Sequence, residues 1–148
     1  MPRMRPVKIL LLTVSIVCLA VSVAAAERMA IVSDIANIRS GPGTEHDILW
    51  QVYKNYPIEV IEKQGAWYRF RDFEGDIGWI HSSLVEKVAT VITKAPKCNV
   101  RSGPGTHHDI AFTVVDGISF RLLELKGDWL HVRHADGDSG WIYRSLVW

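Results

Sequence analysis

The chain has 148 residues, 48% of them apolar and 22% charged, which is the composition of a globular protein with room for one ordinary domain or two very small ones. Its formal charge of +1 hides an uneven distribution. Arg3, Arg5 and Lys8 fall in the first 26 positions with no acid beside them, which leaves 14 basic against 16 acidic residues and a net of −2. Nucleic acid is not expected as a partner, because it needs a basic stripe that this balance does not supply.

The N-terminus reads as a secretory signal over residues 1–26. A positive start is followed by an apolar run from Ile9 to Val23, broken only by Thr13, Ser15 and Ser22. Ala24-Ala25-Ala26 then provides small residues for a cut before Glu27. The other reading is an uncleaved anchor, since roughly 18 apolar residues almost span a bilayer. Contact with the membrane is expected through this segment alone. Cys18 lies inside the run behind the bulky Ile16-Val17, which argues against a lipoprotein signal. The expected location is periplasmic or secreted. The mature chain keeps one cysteine, Cys98, which has no intramolecular partner for a disulfide.

From Arg28 onward the signals are β: short apolar and aromatic stretches cut by Gly, Pro, Asn and Asp. Ala30 to Ile38 reads as a first strand. Ser40-Gly41-Pro42-Gly43 ends it in a tight loop, because Gly permits φ > 0 and Pro cannot continue a strand. Ile48 to Tyr53 is the second strand, and Pro57 opens a third over Ile58 to Glu62. Gln64-Gly65 turns the chain into Trp67 to Asp72. Glu74-Gly75-Asp76 is a hairpin turn into Ile77 to His81, and Leu84-Val85 closes the unit.

The unit then repeats. Asn37-Ile-Arg-Ser-Gly-Pro-Gly-Thr44 returns as Asn99-Val-Arg-Ser-Gly-Pro-Gly-Thr106, Trp67 as Trp129, and Gly78-Trp79-Ile80 as Gly140-Trp141-Ile142. Every pair is 62 positions apart without a gap, so one unit occurs twice, over residues 28–87 and 90–148. The link between them holds no Gly, Pro or Ser run, so the units are expected to abut. Each has only about 60 residues, a size that buries a modest share of its surface. In the fourth strand Tyr68 and Phe70, like Leu130 and Val132, share the core face. Trp67, Arg69 and Arg71, like Trp129, His131 and Arg133, share the outer one. Trp79 and Trp141 are expected to close the core. Five short strands in this length predict a small bent barrel, all-β, twice over.

These residues resemble the bacterial Src-homology-3-like (SH3b) domain. The likeness rests on the Asn-Ile-Arg-Ser-Gly-Pro-Gly-Thr stretch, the Gly-x-Trp opening the fourth strand, the Gly-x-x-Gly-Trp-Ile and the closing Ser-Leu-Val. It covers Met29 to Trp148 in two copies. The resemblance implies a non-catalytic binding module of exported bacterial proteins, often directed at cell-wall peptide or glycan. Eukaryotic relatives bind proline-rich peptides through paired aromatics. Here the family's Pro position is His81 and Tyr143, and its Tyr is Leu84 and Leu146, so polyproline recognition is not expected.

Candidate chemistry is sparse. His46-Asp47 and His107-His108-Asp109 offer one or two imidazoles per loop where zinc needs three or four ligands, so no metal site is expected. Cys98 aligns with Ala36, which marks a small buried position more than a nucleophile. The carboxylates Glu74 and Asp76, and Asp136 and Asp138, flank the Gly of hairpin turns, where such residues serve the backbone. No catalytic residue and no cofactor is expected. Aromatics are the better lead, and the candidate binding residues are Trp50, Trp67 and Trp129 with Arg39 and Arg101. Each Arg either clamps a ligand carboxylate or fixes its own loop through backbone carbonyls. The expected partner is peptidoglycan, by stem peptide or glycan; the second is another envelope protein or peptide.

Overall fold

The computed structural model describes residues 25–148, so the expected signal segment lies outside the described residues except for its last two positions. Two antiparallel sheets follow one another along the chain. The first is built from β1 (Glu27–Ile31), β2 (Ile35–Arg39), β3 (Ile48–Tyr53), β4 (Pro57–Gln64), β5 (Trp67–Arg71), β6 (Ile77–His81) and β7 (Val85–Glu86), in the order β3-β2-β6-β5-β4-β1-β7. The second contains β8 (Thr90–Ile92), β9 (Cys98–Arg101), β10 (Ile110–Val114), β11 (Ser119–Lys126), β12 (Trp129–Arg133) and β13 (Ser139–Tyr143), in the order β10-β9-β13-β12-β11-β8. A 3₁₀ turn ends the long hairpins in each repeat, at Ser82–Leu84 and Arg144–Leu146.

Each sheet curls round its own core. In the first repeat Ile31, Ile38, Ile58, Phe70 and Ile80 are fully buried together; in the second Val100, Phe120, Val132 and Ile142 are. The aromatic volume changes strand between them. Phe70 of β5 corresponds to Val132, whereas Phe120 of β11 corresponds to Ile58, so each core holds one buried Phe, contributed by a different strand.

The first expected strand is two. Between β1 and β2 the chain bends at Val32–Asp34, because Val32 N–H donates to Leu84 O at 2.9 Å and Ser33 Oγ donates to Ile35 O at 3.1 Å. Both bonds take the backbone out of an extended line, and one of them reaches 52 positions along the chain. With β7 this makes seven strands where five were expected.

Trp79 is only half-buried and lies outside the first core, contrary to expectation, whereas Trp141 is buried, though outside the cluster of the second core. Gly78 and Ile80 occupy the inward positions of β6, so Trp79 points outward across from Arg69. Trp141 does the same and stacks on His131, with ring centroids 4.8 Å apart at 11°. The glycine beside each Trp is the inward residue. A Cβ on Gly140 would lie 2.7 Å from Val100 Cγ1 and 2.8 Å from the Arg101 carbonyl oxygen, so this crossing of β13 over β9 has no room for a side chain.

The repeats meet. Leu122 N–H of β11 donates to Ala89 O of the link at 2.9 Å, and the Arg28 guanidinium of β1 lies 3.7 Å over the Trp148 ring.

Candidate functional site

Arg39 is the last residue of β2, and its direction is set by the loop that follows. Its Nη1 donates to Thr44 O at 3.0 Å and to His46 O at 2.9 Å. Arg101 does the same with Thr106 O at 3.3 Å and His108 O at 3.0 Å. Ser40 N–H closes the loop onto Asp47 O at 3.0 Å, and Ser102 N–H onto Asp109 O at 2.9 Å. Of the two roles open to these arginines, fixing the loop engages Nη1. Both side chains also line a groove.

The glycines of this loop serve a purpose other than the expected one. Neither Gly41 nor Gly103 has a positive φ. An imidazole covers each of them: a Cβ would fall 2.6 Å from the His46 ring and 2.5 Å from the His108 ring, so a side chain there would displace the histidine. The histidines of the His-Asp pairs therefore pack on their own loops.

The groove lies between this loop and the outer face of β5 and β6. In the first repeat Ile35, Asn37, Arg39, Thr44, Trp67, His81 and Leu84 line it, with a volume of about 230 Å³. In the second, Lys97, Asn99, Arg101, Thr106, Trp129, Tyr143 and Leu146 stand at the seven matching positions, and the volume is about 630 Å³. The structure thus brings Arg39 to Trp67 and Arg101 to Trp129. Trp50 is elsewhere: it packs edge-on against Phe70, with centroids 6.4 Å apart, and faces a cleft between the repeats.

Each groove Trp is held by an aromatic neighbour from β6 or β13. Trp67 meets His81 edge-on at 5.3 Å, and Trp129 meets Tyr143 at 5.4 Å. His81 Nδ1 accepts from Ser83 N–H at 3.2 Å, which leaves Nε2 as the protonated nitrogen of the neutral ring. The sequence reading missed His81, Tyr143, Leu84 and Leu146 as lining residues. Their signal was the common offset combined with the pairing of β5 to β6, which sets Trp67 opposite His81 and Trp129 opposite Tyr143.

The two grooves differ in charge and in hydrogen bonding. Lys97 replaces Ile35, and His107, also at the rim, replaces Glu45, so the second groove is the more basic. In the first, Gln51 Nε2 donates to Asn37 Oδ1 at 2.7 Å. Thr113 stands in place of Gln51, and the buried Asn99 Oδ1 has no hydrogen-bond partner.

The hairpin turn is capped by Asp72 in the first repeat, rather than by Glu74 or Asp76, and by Asp136 in the second. Buried Asp72 accepts from Glu74 N–H and Asp76 N–H through Oδ1 and from the Tyr56 hydroxyl through Oδ2 at 2.9 Å. Burial, and secondarily the bond to Asp72, push the Tyr56 hydroxyl well above the ordinary phenol range. In the second repeat Asp136 Oδ1 accepts from Asp138 N–H at 2.9 Å; that bond, followed by His134, holds the Asp136 carboxyl below its usual range.

Cys98 is fully buried, like Ala36 at the matching position. Burial raises its thiol pKa, and its nearest polar contact is Ala95 O at 3.5 Å. A raised pKa in the folded state adds stability that is complete below the pKa of a free thiol and is lost as the pH rises past it. The expected result is that Cys98 reacts with an aromatic disulfide reagent at least about 100-fold more slowly in native protein than in urea, measured by the rate of thiolate release.

Residues 34–86 and residues 94–148 each match a family described as bacterial SH3 domain. A Bacillus subtilis (strain 168) protein named "Putative N-acetylmuramoyl-L-alanine amidase YrvJ" is 27% identical over 138 residues, which is 85% of this chain and 26% of that protein. The chain therefore spans about a quarter of the length of this relative. Among solved structures, an NlpC/P60 family protein from Bacillus cereus ATCC 10987 aligns with a TM-score of 0.40 at 13% identity, over 82% of this chain and 56% of that one. NlpC2 from Trichomonas vaginalis aligns at 0.37 and 13%, over 83% and 48%. With the offset of 62, the matched strand order and the family matches in both halves, the chain belongs to the bacterial SH3 domain family and carries two such domains in tandem.

Proposed function

We propose that this is an exported, non-catalytic binding protein of the bacterial envelope that holds peptidoglycan in its two Arg–Trp grooves. The observation that carries the reading is the recurrence of one groove at seven matched positions, with an arginine and a tryptophan in each. A repeating polymer is the natural ligand for a repeated groove, because two weak sites on one chain gain avidity without any new contact. The relative named as an amidase of N-acetylmuramoyl-L-alanine supports a wall ligand. Export rests on the basic and apolar pattern of residues 1–26.

The second groove is the stronger site in this reading. Lys97 and Arg101 set a positive field over an apolar floor of Trp129 and Leu146, which suits a ligand end bearing a carboxylate. A stem peptide has such an end, and a glycan strand presents ring faces to the same tryptophan.

Co-sedimentation of the chain from Glu27 onward with purified sacculi tests this. Trp129→Ala is expected to weaken retention by roughly 30-fold, about 2 kcal/mol, and Trp67→Ala by less. The double variant, checked for folding by its thermal melt, should no longer sediment. A folded wild-type protein that stays in the supernatant at low and high salt would sink the wall reading. A second reading, a module for another envelope protein, draws on the cleft between the repeats rather than on the grooves.

A further inference from the structure

β3 is an outer strand of the first sheet. β2 pairs it on one side, and no strand among the described residues pairs the other. Outer strands are usually blunted by Lys, Pro or a bulge, since their unpaired N–H and C=O groups are a template for another chain. β3 reads Ile48-Leu49-Trp50-Gln51-Val52-Tyr53, with no charge and no proline. Its one irregularity lies at the Ile48 end, and beyond it the register from Trp50 to Tyr53 is unbroken. Ile48, Leu49 and Tyr53 are 50%, 51% and 66% exposed.

This edge borders the cleft between the repeats, whose volume is about 620 Å³. All five residues from Trp50 to Lys54 line the cleft. Successive side chains of a strand point to opposite faces, so a run of consecutive lining residues means that the backbone edge itself forms one side. The other side comes from the second repeat, chiefly Ile118, His134 and Ala135. The hollow beside β10, about 310 Å³, is lined by second-repeat residues alone, so only β3 is walled by the neighbouring repeat.

We propose that the cleft takes an extended peptide segment of another protein, added as a strand to the free edge of β3. This goes beyond wall binding and assigns the seam a separate ligand. A backbone edge presents donors and acceptors at the spacing of a peptide chain, about 3.3 Å per residue, and an incoming strand satisfies them in register. A saccharide has no such spacing. A second folded copy would have to bring its own edge past Ile118 and Ala135, which line the opposite side of the cleft. The segment pairs with four or five residues, roughly 15 Å of strand. Every second side chain is apolar, to meet Trp50, Tyr56 and Ile118, and the alternate ones are polar and face solvent.

The test uses the chain from Glu27 onward and a pool of acetylated, amidated octapeptides. Val, Ile, Leu or Phe alternates in them with Thr, Ser, Lys or Glu. At millimolar peptide, amide exchange over Trp50 to Lys54 should slow at least 10-fold. The same pool N-methylated at its apolar positions lacks one edge of donors and should have no effect. Ala135→Trp, at an exposed position, should fill the slot and abolish the protection while the melt is unchanged. No slowing, equal slowing by the methylated pool, slowing centred on the Arg–Trp grooves, or peptide-induced dimerisation by light scattering would each overturn the proposal. Sacculus retention should be unchanged by the peptides, so failure here and failure of the wall reading are separate results.

Discussion

Phe120→Ala is expected to lower the stability of the second repeat by about 3–5 kcal/mol. The side chain is fully buried in one cluster with Val91, Val100, Leu130, Val132 and Ile142, and no other phenylalanine enters that cluster's buried set. Truncation removes the transfer energy of a benzyl group and leaves a cavity that paired strands cannot close. A domain of this size has about 3–9 kcal/mol in total, so the loss is a third or more. Urea unfolding followed by far-UV circular dichroism should show two steps in the variant, the second repeat melting first. Cys98, buried in the same cluster, should become reactive in that first step. A single transition at the wild-type midpoint would contradict the assignment of Phe120 as the centre of this core.

Thr93→Val is the second large effect, about 2 kcal/mol. Thr93 is fully buried, and its hydroxyl is part of the turn between β10 and β11. Ile118 N–H donates to Thr93 Oγ1 at 2.8 Å, and Oγ1 donates to Val115 O at 2.8 Å. The first repeat closes the same turn directly, with Tyr56 N–H on Tyr53 O at 3.1 Å, and has Ile31 where the hydroxyl would be. The valine variant keeps the volume and strands a donor and an acceptor. Thr93→Ser keeps the hydroxyl and gives up a methyl group, so it should be the milder change, near 1 kcal/mol. Amide exchange at Ile118 should accelerate in the valine variant and much less in the serine one. The reverse order would mean that packing, not the hydroxyl, holds the turn.

Much of the fold was legible because the information was local and doubled. β3 runs from Ile48 to Tyr53 as the sequence predicts, and β12 alternates strictly, while in β5 Phe70 is buried and Tyr68 only half-buried against the same core. What was not legible lies in bonds between distant residues. The break after Ile31 depends on Leu84, and the turn at Ile118 depends on Thr93, and no window of sequence contains both partners. Trp79 departs from expectation because size suggests burial, whereas the neighbouring Gly78 fixes which face is inward; Trp141 is buried on the outer face by stacking on His131. In the candidate site, Arg39, Trp67, Arg101 and Trp129 stood out by type and offset. Trp50 was grouped with them on type alone, and only the course of β3 separates it from the groove and turns it to the seam. Leu84 and Leu146 reach the grooves through the 3₁₀ turns, which the strand pattern does not position.

The exchange of the buried phenylalanine between strands has a consequence for how the chain folds. Two adjacent domains built on one pattern invite misassembly, in which a strand from one repeat completes the sheet of the other. Here a swap of β4 for β11 would put two phenylalanines in the first core, Phe70 and Phe120, and none in the second. One product is overfilled and the other hollow, and both errors are destabilising. A swap of β1 for β8 and the Thr93 that follows it would set the Thr93 hydroxyl against a turn that already closes without it. The two repeats therefore carry incompatible solutions to the same packing problem, and during folding that incompatibility sorts each strand to its own sheet.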